Sequence, residues 1–385
     1  MNNFIFENKT KVYFGKGGVK EYLGSLLGNY GETVMLAYGG GSIKRNGVYD
    51  EIMGILNAKG KRVVEFSGIM SNPTYAKVQE GAKLARENHV DLILAVGGGS
   101  VSDCCKVISA QANLDEDIWE MQYTKHTLPT KFIPLGTIVT VFGTGSEMNN
   151  GAVITNEEKK IKGPLWGAQA EFAFLDPSYT LSVPMKQVIS GAFDTLSHAM
   201  ETYFGKPDEN NLSDDINEAV MRSVIRNIRV LLTAPENYDA RSELAWASAM
   251  AENGVLKIGK VTDFQCHMLE HQLGAYTNCN HGAGLAMIHP VLYRHIYKSG
   301  AARFARFAQN VWGVAPKGSI EETAAAGIDA LAAFIKEIGL PTTFAEPGIP
   351  ADTDFRAIAD STVFTEGCCK KLTHDEIYDI LCECK

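Results

Sequence analysis

Asp194 and His198 stand four residues apart in SGAFDTLSHAMETYF, and His267 and His271 repeat that spacing in CHMLEHQLGAYT. On a helix, residues four apart project from one face. His281 follows a break at TNCN and opens HGAG, where a further helix is expected to start. One carboxylate and three imidazoles complete a divalent-metal shell that leaves open positions for water or substrate. A set with a carboxylate and no thiolate spacing suits Fe(II) or Zn(II) better than a structural cysteine site. The same spacing is also met by an i,i+4 pair on a surface with unrelated histidines downstream, so spacing alone leaves both readings open.

A second group of residues has the chemistry of a phosphate cradle. Gly39-Gly40-Gly41-Ser42 and Gly97-Gly98-Gly99-Ser100 each follow an apolar run that reads as a strand. Glycine lets backbone N–H groups approach a phosphate, and a following helix adds its positive end, so a pyrophosphate is the natural ligand. Strand-to-helix turns also need glycine for sterics alone, and no G-x-G-x-x-G fingerprint is present. Asp103, one turn into the second helix, is expected to cap that helix or meet a ribose hydroxyl. Gly143-Thr144-Gly145-Ser146, in TIVTVFGTGSE, offers small hydroxyls to line a cofactor groove. Asn72, Thr137, Thr140 and Ser146 complete the expected contacts. A carboxylate at the first strand end would accept hydrogen bonds from an adenosine ribose and repel a 2′-phosphate. That position is Gly39, with Ser42, Lys44 and Arg45 close behind, so NADP(H) is expected over NAD(H).

The elements that must position these residues fall into two textures. TVMLAY, RVVEF and DLILAV recur about every thirty residues, each followed by a turn and a helical pattern, which implies a parallel sheet with covering helices. Pro73 is expected to open the second crossover helix, with Val78, Ala82 and Ala85 on its buried face. KFIPL, GAVIT and EFAFLD read as further strands. From Met185 onward the patterns are helical, ending in HDEIYDILCE behind a Thr373–Glu376 capping box. The expected organisation is an α/β dinucleotide-binding domain over 1–184 and an all-helical metal-binding and catalytic domain over 185–385.

Composition bounds the partner. At 385 residues, 45% hydrophobic, two cores are expected. A net charge of −9 argues against nucleic acid or an anionic membrane surface, which leaves a small molecule. No apolar run reaches the ~20 residues of a membrane helix, and MNNFIFENKTKVYF lacks a basic segment before an apolar core, so a cytoplasmic protein is expected. The eight cysteines suit neither a disulfide framework nor a zinc knuckle and read as free thiols.

NKTKVYFGKG, GGGS at 97–100, GTGSEMNNGAVIT, FLDPSYTLSVP, GAFDTLSHAMETYF and HGAGLAMIHP, in this order and nearly end to end, resemble an iron-containing (group III) alcohol dehydrogenase. The resemblance is greatest to the butanol dehydrogenase branch that reduces aldehydes with NADPH. It implies a Rossmann-like, dehydroquinate synthase-like N-terminal fold and a likeness in activity: reversible hydride transfer between nicotinamide and an aldehyde. It places the metal ligands on Asp194, His198, His267 and His281, and a histidine beside the nicotinamide on His271. A cofactor-reaching hairpin lysine falls on Lys162, with Lys159 and Lys160 as neighbours in the alignment, and a homodimer is implied. The metal would act as a Lewis acid on the substrate oxygen, and His271 would relay a proton. His289 matches no catalytic position and is read as packing near the end of the HGAG helix. A lyase reading, by analogy with dehydroquinate synthase, would need more basic residues near HGAGLA than occur there. A nucleotide-binding or metal-storage protein would bind without turnover.

Overall fold

The computed structural model describes residues 1–385. They form two compact units, Glu7–Pro184 and Met185–Lys385, the latter joined by Met1–Phe6. The α/β unit thus begins at Glu7, because the first residues are held elsewhere: Asn2 N–H donates to the Gly259 carbonyl at 3.1 Å.

The α/β unit carries β1 (Lys11–Phe14), β2 (Thr33–Tyr38), β3 (Arg62–Phe66), β4 (Leu92–Gly97), β5 (Leu135–Val139) and β8 (Phe172–Leu175) in one parallel sheet of order β1-β8-β5-β4-β2-β3. Its helices are α1 (Gly24–Leu26), α2 (Ser42–Arg45), α3 (Val48–Ala58), α4 (Tyr75–Glu87) and α5 (Gly99–Gln111). Every residue of β2, β5 and β8 is buried, as parallel strands covered on both faces require. Side chains alternate between two apolar layers. Met35, Ala37 and Ile93 meet Val78 and Ala85 of α4 and Ile108 of α5, while Val34, Leu36 and Leu94 meet Ile52 and Leu56 of α3.

Chain order runs outward from β2 to β3, then returns across β2 to β4 and on to β5. The strand order therefore reverses between β2 and β4, and open α/β sheets bind ligands outside the carboxyl ends of the strands at such a point. Both glycine clusters leave the sheet there.

Two local expectations are corrected, and a third holds with a pairing of its own. Pro73 does not open α4: Thr74 is its N-cap, accepting from Lys77 N, and the Pro73 carbonyl accepts from Thr155 N at 2.9 Å. KFIPL is not a strand, since β5 starts only at Leu135, after Pro134, which has no N–H for a central ladder. GAVIT forms β6 (Gly151–Asn156), but it pairs antiparallel with β7 (Ile161–Trp166) in a separate hairpin.

The helical unit comprises α6 (Met185–Tyr203), α7 (Leu212–Thr233), α8 (Tyr238–Glu252), α9 (Gln265–Thr277), α10 (His281–Ile296), α11 (Ala301–Asn310), α12 (Ile320–Glu337), α13 (Phe355–Ser361) and α14 (His374–Glu383). The Thr373–Glu376 capping box opens α14 as expected. Phe193, Leu196 and Met200 of α6 pack in one core with Leu269 and Leu273 of α9 and Leu285, Ile288 and Leu292 of α10. This core sets the three helices that carry the clustered histidines. All eight cysteines are free thiols, and no helix is long and apolar enough to cross a membrane.

Candidate active site

α6, buried along most of its length, presents Asp194, His198 and Glu201 at i, i+4 and i+7 on one face. α9 presents His267, Glu270 and His271, and α10 opens on His281. The start of α10 is fastened to α6. Asn280 Oδ1 caps α10 by accepting from Ala283 N at 3.1 Å, and it also accepts from Ser190 Oγ at 2.5 Å. A Cβ at Gly282 would run into the Ser190 carbonyl, so glycine is what lets the two helices approach.

The side chains converge on Asp194 Oδ1. His198 Nδ1 lies 3.3 Å from it, and His267 Nε2 and His281 Nε2 each lie 3.4 Å from it. Asp194 Oδ1 and His267 Nε2 are both buried and make no hydrogen bond. The donor atoms of Asp194, His267 and His281 fall within 4.8 Å of one another, and those of Glu270, His271 and His281 form an adjoining trio. His198 joins through Asp194 and through its ring, 4.4 Å from that of His267. The His271 ring stacks on His281 at 5.6 Å.

Nδ1 of His198, His267 and His281 is engaged, and on His198 it is the same nitrogen that lies 3.3 Å from Asp194 Oδ1. His198 Nδ1–H donates to the Asp194 carbonyl at 2.9 Å, His267 Nδ1–H to Glu201 and His281 Nδ1–H to Glu270. A carboxylate or carbonyl only accepts, so each imidazole holds a proton on Nδ1, and Nε2 is the nitrogen that a cation would take. Burial opposes charge on His267, yet Glu201 and Asp194 outweigh it and hold its pKa up to about 10. His281 is raised in the same way by Glu270 and Asp194 against its burial, whereas burial lowers His198. Burial would raise Asp194, but the surrounding histidines hold it well below the usual carboxylate range. Three buried carboxylates facing three imidazoles make a site of negative charge whose open atoms are hard oxygen and borderline nitrogen. The chemistry and the orphaned atoms fit a divalent cation.

Glu201 and Glu270 escaped the sequence reading. Their signals are the i+7 position of Glu201 behind Asp194 and the H-x-x-E-H run that holds Glu270.

His289 lies in the middle of α10, not near its end. It is fully buried, with Nε2 2.6 Å from Ser197 Oγ and its ring against Phe193 and Tyr293. Burial outweighs the Glu201 and Asp194 carboxylates and pushes its pKa down to about 4. The unfolded chain would take up this proton near ~6.5, so the contribution is intact above that pH and is lost as pH falls toward the folded value. We expect about 3 kcal/mol of acid destabilisation from this residue, and urea unfolding of His289→Gln against wild type should show a smaller loss between those pH values. Parallel pH profiles for the two proteins would contradict it.

The cofactor candidates divide in the α/β unit. Gly39–Ser42 and Gly97–Ser100 stand at neighbouring strand ends, and Thr140, whose N–H donates to the Gly97 carbonyl at 2.9 Å, stands at the next. Gly97 and Gly99 have packing reasons: a Cβ would meet Val101 at one and Thr144 at the other. A Cβ on Gly98 would sit 3.3 Å from Val141 Cβ, whereas a Cβ on Gly40 would meet nothing within 4 Å. Gly40→Val should therefore leave the melting temperature unchanged and raise KM for the dinucleotide on the order of tenfold, through the close backbone approach a pyrophosphate needs. An unchanged KM would remove Gly40 from the cradle.

Other residues turn inward. Thr137 is fully buried in β5, so it is part of the sheet core. Ser100 Oγ donates to the Ser71 carbonyl, beside half-buried Asn72. Asp103 does not cap α5: it accepts from Ser146 Oγ and from Val153 N at 2.9 Å, pinning the GTGS loop and β6 to the helix. Lys162 is buried on β7 opposite Thr155, while Lys159 is half exposed and pairs with Glu120 and Lys160 takes the left-handed turn position. Behind Gly39, Lys44 is paired with Glu65 at 3.3 Å, and the Arg45 guanidinium comes within 3.1 Å of the Cβ position of Gly41.

Comparison with known proteins assigns the class. Residues 9–177 match the family model for iron-containing alcohol dehydrogenase, and 188–384 match that for the C-terminal part of the Fe-containing alcohol dehydrogenase family. The chain belongs to the iron-containing (group III) alcohol dehydrogenases, and is an NAD(P)-dependent alcohol dehydrogenase/aldehyde reductase. It is 38% identical to NADH-dependent butanol dehydrogenase A of Clostridium acetobutylicum over 355 residues, 91% of each chain. It is 36% identical to the NADPH-dependent aldehyde reductase YqhD of Escherichia coli over 356 residues, 91% of this chain and 90% of that one. The crystal structure of NADH-dependent butanol dehydrogenase A from Thermotoga maritima superposes with a TM-score of 0.94 at 34% identity, covering 100% of this chain and 99% of that one.

Proposed function

We propose that the protein reduces butanal-like primary aldehydes with NADP(H), and oxidises the alcohols in reverse, with one divalent cation, Fe(II) or Zn(II), held by Asp194, His198, His267 and His281. The observation that carries the metal reading is the buried, unbonded Asp194 Oδ1 faced by His267 Nε2 and His281 Nε2 at 3.4 Å each. When bound, the cation supplies Lewis acidity to the substrate oxygen and the nicotinamide carries the hydride. The chain's own residues orient the ligands: Nδ1 of each liganding imidazole is tied down, Asp194, His198 and His267 are buried in the helical core, and His281 is partly exposed at its edge. His271, at the edge of this cluster, is the group proposed to hand a proton from an imidazole nitrogen to the product oxygen. Gly39–Ser42, Gly97–Ser100, Asp103, Thr140, Ser146 and Lys162 are proposed to shape the cofactor site, with Asp103 and Ser146 acting as a brace behind it.

The preference for NADP(H) rests on Gly39, which has no carboxylate to repel a 2′-phosphate, and on Arg45; Lys44 contributes little because Glu65 neutralises it. Names of relatives divide, since the Clostridium acetobutylicum and Thermotoga maritima proteins are called NADH-dependent and the Escherichia coli protein NADPH-dependent. The discriminating experiment is kcat/KM for NADPH and NADH across a series of straight-chain aldehydes. Higher efficiency with NADPH, and with butanal over shorter aldehydes, is expected; tenfold better use of NADH would reverse the cofactor assignment. A homodimer is proposed from the base rate for soluble oligomers, and a cytoplasmic location from the eight free thiols.

A further inference from the structure

We propose that Glu270 is a positioning residue that presets the metal-binding form of His281, with Glu201 doing the same for His267, and that Gly284 is glycine in order to admit the Glu270 carboxylate. This rests on the reading of Asp194, His198, His267 and His281 as metal ligands.

Each carboxylate crosses to a histidine on another helix. Glu201 of α6 takes the Nδ1–H of His267 on α9, and Glu270 of α9 takes the Nδ1–H of His281 on α10. The two pairs form a chain α6 to α9 to α10 that joins ligands far apart in sequence. A carboxylate on Nδ1 holds the proton there, fixes the ring plane and makes Nε2 the more basic donor. Both acids are completely buried. A buried carboxylate costs several kcal/mol unless partnered, so its place beside a ligand ring calls for a reason.

The two differ in what else they do. Glu201 Oε1 also accepts from Cys266 N at 2.6 Å and His267 N at 3.3 Å. It thereby serves the first turn of α9, whose N-cap Phe264 offers no side-chain bond. Glu201 is consequently part of the scaffold as well as of the site. Glu270 sits inside α9, away from its free N–H groups, and its room is made by α10. A Cβ on Gly284 would lie 2.7 Å from Glu270 Cγ and 2.9 Å from Glu270 Oε1. The two glycines of HGAG thus have separate tasks: Gly282 admits the Ser190 carbonyl of α6, and Gly284 admits Glu270. The nearest atoms to a Cβ on Gly284 all belong to Glu270, which makes this position a second handle on the same carboxylate.

The test is Co(II) titration of the metal-stripped full chain, read by visible absorption and by affinity, for wild type, Glu270→Gln, Glu270→Ala, Gly284→Ala and Asp194→Ala. Glu270→Gln keeps an acceptor for Nδ1–H and should bind Co(II) roughly tenfold more weakly with a wild-type spectrum; Glu270→Ala should bind about a hundredfold more weakly with a changed spectrum. Gly284→Ala, which displaces the carboxylate without deleting it, should fall in the same direction. If Glu270→Ala and Gly284→Ala lower only the melting temperature of the metal-free protein and leave Co(II) affinity and spectrum unchanged, Glu270 is a packing residue and the proposal fails. Should Glu270→Ala not fold, Gly284→Ala and Glu270→Gln decide on the same readouts. Wild type that takes up no equivalent of Co(II), or Asp194→Ala that binds it equally well, overturns the ligand reading and this proposal together.

Discussion

Asp194→Ala is expected to purify as a folded protein that retains no stoichiometric metal and reduces butanal at least ~1000-fold more slowly than wild type. Asp194 is the one point met by all three imidazoles, at 3.3 to 3.4 Å. Removing it deletes the only carboxylate of the proposed ligand set and leaves His267 and His281, both held toward the charged form by Glu270, Glu201 and Asp194 itself, without the anion between them. Lewis-acid stabilisation is worth several kcal/mol, and ~4 kcal/mol corresponds to about a thousandfold in rate. The fold should survive because the apolar side of α6, with Phe193, Leu196 and Met200, is untouched. Circular dichroism, metal analysis and NADPH consumption on one preparation check the three parts. A metal-free variant with wild-type turnover would remove Asp194 from the chemistry.

His271→Ala is expected to keep its metal and lose turnover. His271 lies against His281 and His267, at 5.6 and 6.0 Å between ring centres, but outside the trio that closes on Asp194. A positioned proton donor contributes roughly 100-fold or more, so kcat for aldehyde reduction should fall by about that factor while bound metal stays at the wild-type level. Reduction needs a proton delivered to the product oxygen, and the variant lacks the imidazole proposed to deliver it. Unchanged turnover would assign the proton to another group.

Much of this site was legible in the chain because it depends on helical spacing. Asp194 with His198 and His267 with His271 recur at four residues, and Asn280 before HGAG marks the helix start that presents His281. The strands TVMLAY and DLILAV were legible because buried parallel strands are continuous apolar runs. Sheet order was not, since pairing depends on crossovers, and the reversal between β2 and β4 emerges only in three dimensions. Pro134 and Pro73 misled for one reason: a proline beside an apolar pattern was read by propensity, while the missing N–H decides where a ladder starts and Thr74 supplies the cap. Asp103 was expected to face ligand or cap a helix, and it braces Ser146 and Val153 instead, because its partners arrive from forty to fifty residues downstream. Glu201 and Glu270, despite their spacing, were missed for a related reason. An acid in a helix is usually solvated, and only burial beside Nδ1 of a histidine on another helix reveals its task.

The most direct measurement is metal add-back. Protein stripped with a chelator should consume no NADPH with butanal, and stepwise addition of Fe(II) or Zn(II) should restore turnover in proportion to bound metal, with saturation at one equivalent per chain. Full turnover in the stripped protein, or recovery that continues well beyond one equivalent, would contradict a single catalytic cation held by Asp194, His198, His267 and His281.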